Sequence, residues 1–123
     1  MGVSSRLDEN MIVFVLEGEN TVQQAKKAFV EIFSGPDLKC LLPVLVDARL
    51  SQRNRDLSEV SGFAEAMLHY RDKIGHKCAL VINEQRQNSP GLERLLAGFS
   101  LREKIEFGLF FDLDSAKKWI DEG

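Results

Sequence analysis

Three arginines, Arg49, Arg53 and Arg55, fall between an apolar run that closes on Asp47 and a helix start at Asp56. Guanidinium groups suit a carboxylate, a phosphate or an acidic protein surface, because their planar fork matches two oxygens at once. The residues before them read as a parallel strand, and open α/β folds place ligands beyond the carboxyl ends of such strands. Asp47, Arg49, Arg53, Arg55 and Asp56 therefore form a candidate anion- or partner-binding group. The plainer alternative is a solvated loop with Arg49 or Arg55 paired to Asp47, Asp56 or Glu59, each pair worth only ~0–1 kcal/mol. Ser58 is a candidate phosphoacceptor. A phosphate there would meet the unpaired N–H groups of a helix start, with Arg53 and Arg55 within reach, although the neighbouring Glu59 would repel it.

A second candidate is apolar. Leu92, Leu95, Leu96 and Phe99 recur at helical spacing, with Gly98 as a hinge, in a helix over Leu92 to Ile105. Such a helix could lift from the sheet and open a groove for a small apolar ligand, or lie on a membrane surface. As core residues, the same stripe would hold the helix down.

Catalytic chemistry finds little support. Asp47, Ser51, His69, His76, Cys40 and Cys78 are the nucleophile and base candidates, yet no G-x-S-x-G elbow, phosphate loop or metal motif joins them. Cys40 and Cys78 each open an apolar run and read as buried thiols. His76 and Cys78 share one strand face without a third or fourth ligand nearby in sequence. We expect no enzyme activity, no cofactor and no metal.

Bulk properties narrow the partners. The chain has 123 residues, 44% apolar and 28% charged, and a formal net charge of −3, which fits one globular domain over residues 1–123. Dispersed basic residues and a negative balance argue against nucleic acid. The longest apolar runs fall far below the ~20 residues of a membrane span. The opening residues lack the apolar core of a secretory signal, and Arg6 stands where a myristoylation signal needs Ser or Thr. A cytoplasmic location is expected, with an unidentified protein or small ligand as partner, peripheral membrane contact as the alternative, and the oligomeric state undetermined.

The elements that must position these groups follow from periodicity. Ser4 to Asn10 reads as an edge strand that turns at Asp8 to Asn10 into the β-branched run Met11 to Leu16. Thr21 and Gln24 form a capping box before a helix with Val22, Ala25, Ala28, Phe29, Ile32 and Phe33 on one face, closed by Gly35-Pro36. The run Cys40 to Ala48 reads as a central strand that effectively starts after Pro43. A helix capped by Asp56 and answered by Glu59 runs to about Lys73, with Val60, Phe63, Ala64, Met67 and Leu68 inward. Lys77 to Asn83 is a buried strand, Asn83 to Asn88 a polar loop, and Ser89-Pro90 starts a helix through about Lys104. Ile105 to Phe111 is the last strand. Asp112 caps a final helix with Leu113, Ala116, Trp119 and Ile120 on one face. The order β-β-α-β-α-β-α-β-α predicts a mixed, mostly parallel five-stranded α/β sheet with an antiparallel edge strand and four helices, distributed on both sides.

With "GEN-T" before the first helix, "VLVDAR", "CALVIN" and the closing "GLFFDLDSAKKWI", the chain resembles the SpoIIAA-like branch of the STAS family of sulfate-transporter and anti-sigma-factor-antagonist domains. The resemblance spans nearly the whole chain. Its most specific element joins Phe110, Asp112, Ala116 and Trp119, residues with structural jobs. The resemblance implies a STAS-like fold and a noncatalytic regulatory or binding module. In the antagonist branch a "D-S-S-G" serine accepts phosphate from a kinase. This chain has "D-L-S-E", Asp56 to Glu59, so the resemblance would place Ser58 in the acceptor's position while the motif itself is missing.

Overall fold

The run "MIVFVL" is buried almost throughout, as a strand covered on both faces must be. It forms β2 (Met11–Gly18), which pairs antiparallel with the edge strand β1 (Gly2–Asp8) and parallel with β3 (Leu42–Ser51). Parallel strands β4 (Ile74–Val81) and β5 (Glu106–Phe110) complete the sheet, whose spatial order is β1-β2-β3-β4-β5. The computed structural model describes residues 2–8, 11–19, 21–35, 41–51, 57–83, 89–103 and 105–122, without the side chains of 51, 57–59, 89, 90 and 92.

Helices α1 (Val22–Phe33), α2 (Leu57–Leu68) and α3 (Ser89–Arg102) connect successive parallel strands, and α4 (Leu113–Asp121) follows β5. The helices were expected on both sides, and their division is uneven. Each crossover steps to the next strand in the same direction, so the right-handed rule sends all three connecting helices to one face. There Phe29 and Phe33 of α1, Met67 and Leu68 of α2 and Phe99 of α3 meet Ile12, Phe14, Val44 and Cys78 of the sheet. Only α4, which has no strand after it among the described residues, reaches the opposite face. Its Ala116 and Ile120 pack on Met11, Val13, Leu45, Ala79 and Val81.

Local chemistry explains the boundaries. Thr21 caps α1 as expected: its hydroxyl accepts from the Gln24 amide at 3.1 Å and the Gln24 side chain accepts from the Thr21 amide at 2.9 Å. β3 begins one residue before Pro43, not after it, because a register shift between Leu42 and Val44 spares the ladder a proline donor. The opposing Gly75 is required there, since a Cβ would lie 2.9 Å from the Leu42 carbonyl carbon and the Pro43 nitrogen. β4 consequently starts at Ile74, three residues earlier than the sequence suggested.

Helix α2 stops at Leu68 and gives way to a turn and a short 3-10 segment over Arg71–Lys73. The Tyr70 ring stacks on Phe33 with centroids 4.9 Å apart, and Lys73 Nζ donates to the Phe33 carbonyl at 3.0 Å. These contacts tie the chain to the end of α1 where the helical pattern alone would have continued. The expected turn at 9–10, Pro36 and Cys40 lie outside the described residues, while Cys78 is buried.

Candidate functional site

Alternation along β2, β3 and β4 sends Leu16, Ala48, Leu80 and Ile82 to the three-helix face near the carboxyl ends of the strands. Between these residues and the deeper Phe14–Phe29–Met67–Cys78 group lies an apolar cavity of about 80 Å³. The sheet supplies its floor. Val60, Phe63, Ala64 and Met67 of α2 form most of its roof, and α3 contributes Leu96. Val60, Phe63 and Leu80 are half-buried and mark the side on which the cavity meets the surface.

Every lining side chain is apolar or sulfur-bearing, so the cavity offers a ligand dispersion contacts and almost no hydrogen bonds. Its one acidic group is Cys78. Complete burial pushes that thiol up to about 12, so it stays protonated, with Sγ 3.9 Å from the Met67 sulfur. A protonated, buried thiol is a poor nucleophile.

The polar group lies on the opposite face. Asp47 follows Leu45 in the register that faces α4, and it is 8% exposed. Arg49 clamps it: Nε donates to Oδ1 and Nη2 to Oδ2, both at 2.9 Å, and the Arg49 amide donates to Oδ1 at 3.2 Å. Burial would raise the Asp47 pKa, but the side-chain and backbone hydrogen bonds from Arg49 and the charges of Arg49 and Arg6 bring it below the ordinary aspartate value. Across the sheet, Asp112 caps α4. Its carboxylate accepts from the Ser115 amide at 2.7 Å and from the Ser115 hydroxyl at 3.0 Å, and these bonds, with the Arg49 charge, hold its pKa down as well.

Two sequence candidates are thus brought together and others are not. Asp47 and Arg49 pair with each other, and Arg49 stands within β3, which continues to Ser51, so the expected loop starts later than Arg49. Arg53, Arg55, Asp56 and residues 84–88 lie outside the described residues, as do the side chains of Ser58 and Leu92. Leu96 and Phe99 are buried and Leu95 is packed against the core. The apolar stripe of α3 therefore serves as core in this conformation, and the principal cavity wall is α2. The sequence reading placed Val60, Phe63, Ala64 and Met67 correctly as an inward face without seeing that they leave space. The small side chains of Ala48 and Ala64, both lining the cavity, are the signal that was present.

No family model and no curated protein matches this chain. Among solved structures, an uncharacterized protein of the DUF3478 family from Shewanella loihica PV-4, with a SpoIIAA-like fold, superposes with a TM-score of 0.62 at 14% identity. The match covers 97% of this chain and 92% of that one. The chain therefore has a SpoIIAA-like fold, as the sequence resemblance implied.

Proposed function

We propose that the protein is a noncatalytic regulatory module that binds a small apolar molecule, or the apolar end of a larger one, between the sheet and α2. The cavity of about 80 Å³ carries this reading. It is roughly half the 150 Å³ of an apolar protein cavity that takes up benzene or xenon. Left unfilled, 80 Å³ costs about 2 kcal/mol. That is a large fraction of a domain's net stability, so retaining the space favours a use for it.

Its position fits. Ligands of open α/β sheets bind at the carboxyl ends of the strands, where Leu16, Ala48 and Leu80 stand. Two of the nucleophile and base candidates lend a catalytic reading no help: Cys78 is a buried neutral thiol, and Asp47 is paired with Arg49. Since Arg49 already spends its guanidinium on Asp47, the arginine-based anion site would have to rely on residues beyond it. Among the described residues no helix is long and apolar enough to cross a membrane, and no group of three His, Cys, Asp or Glu side chains could hold a metal.

The test is NMR titration of methyl-labelled protein with xenon and with benzene. Shifts should concentrate on Val46, Val60, Met67 and Leu96, and Ala48→Leu, which fills the space, should suppress them. Equal responses in the wild type and the filled variant would reject the site.

A further inference from the structure

The outer surface of α1 and α2 holds a second concavity, about 520 Å³, unconnected in composition with the apolar cavity apart from Phe29. Val22, Lys26 and Val30 border it from α1, Gly62 and Glu65 from α2, and His69 from the turn that follows α2. The spacings i, i+4, i+8 on α1 and i, i+3 on α2 align the helical residues along facing stripes.

Three observations bear on its occupant. Val30 is 50% exposed, a large apolar side chain on the ridge beside the groove. Gly62 leaves open space where a Cβ would stand, so a neighbouring helix can approach α2 closely. Lys26 and Glu65 carry opposite charges on opposite walls, and neither side chain has an ion-pair partner among the described residues.

We propose that this groove is a weak two-fold interface with a second copy of this chain. A two-fold contact is self-complementary, so each Lys26 meets Glu65 of the second copy and the pair forms twice, once on each side of the axis. The α1 ridge of each copy, led by Val30, enters the other's α1/α2 groove. Two unlike charges on one surface are what an isologous contact needs, whereas an acidic or a basic partner would leave one of them unpaired.

The size sets the strength. Helices of twelve residues are ~18 Å long and pack ~9 Å apart, giving a face of roughly 18 by 20 Å. A standard specific interface buries ~800 Å² per partner, so this one belongs with weak, concentration-dependent contacts. The dimer contact itself needs no ligand in the apolar cavity.

Sedimentation equilibrium of the full chain tests it. The wild type should dimerise with a Kd of about 10 µM to 1 mM. Lys26→Glu alone and Glu65→Lys alone should each weaken the dimer about tenfold or more, because like charges then face each other. Mixing the two variants should restore association, since the Lys26→Glu chain then faces the Glu65→Lys chain with opposite charges at both contacts, a recovery that misfolded chains would not show. A wild type still monomeric at about 1 mM, single variants that associate as well as wild type, or a mixture no tighter than its components would each overturn the proposal. Small-molecule occupancy of the groove would leave every sample monomeric.

Discussion

The two faces of the sheet are covered in opposite styles. Three helices cover one, yet between them and the strands a cavity of about 80 Å³ persists. A single helix covers much of the other, and it packs closely: a Cβ on Gly108 would lie 2.8 Å from the Phe110 ring and 3.2 Å from the Trp119 ring. Lys77 reinforces that closure, its Nζ donating to the Trp119 carbonyl and lying 4.7 Å from the centre of the indole. More cover does not mean tighter filling. The single helix packs over the small residues Ala79 and Gly108, whereas the three-helix face places the small side chains of Ala48 and Ala64 at its cavity.

The largest expected effect tests that contrast at Phe14. Its ring is fully buried, sits edge-on to Phe29 with centroids 4.9 Å apart, and lines the cavity. Phe14→Ala should lower unfolding free energy by about 4 kcal/mol in urea titrations. Because the deleted ring enlarges an apolar space, saturating benzene should return part of that loss. Recovery of the same size in Val81→Ala, on the α4 face, would erase the distinction between the faces.

Cys78 gives the next effect. Its pKa lies at about 12 when folded against 9.0 as the ordinary value, so the native state holds its proton more tightly than the unfolded chain does. Stability from this group is fully present below pH 9 and falls as pH rises toward 12. About 1.4 kcal/mol is lost by pH 10, and the full loss by linkage, about 4 kcal/mol, is reached only once pH passes the folded value. Cys78→Val should flatten that alkaline limb, and a wild-type stability curve already flat over the same range would contradict the burial argument.

The smallest effect belongs to Asp47 on the α4 face. Its folded pKa is lowered from 3.8, so its contribution is present above that value and fades as pH falls through the folded pKa. Asp47→Asn should lose about 1 kcal/mol near neutral pH and converge with wild type in acid. No convergence would mean that Arg49 is held by something other than the carboxylate.

Much of this architecture was legible in the residues. The capping pairs Thr21–Gln24 and Asp112–Ser115 mark their helices because a side-chain oxygen beside unpaired amides is a local signal. The antiparallel edge followed by parallel strands likewise follows from β-β-α-β order. What the pattern could not supply was the sidedness of the helices, which depends on strand order, and the ends of β3, β4 and α2, which depend on the Pro43–Gly75 approach and the Tyr70–Phe33 stack. The site was half legible. Asp47 and Arg49 are two residues apart and alternation alone puts them on one face, but a cavity is a property of what fails to touch, and the small side chains of Ala48 and Ala64 mark it only once they are known to face each other's layer.

The strand order has one consequence for biosynthesis. Every strand lies beside its chain neighbour, so the sheet can grow in one direction as the polypeptide leaves the ribosome, with β1 and β2 pairing first. The three-helix face is sheltered progressively during that growth. The opposite face, with Val13, Leu45, Ala79 and Val81, waits for α4, the last helix of the order. For that interval the nascent chain carries a bare apolar sheet, and the late arrival of Trp119 is the step that makes it safe from aggregation.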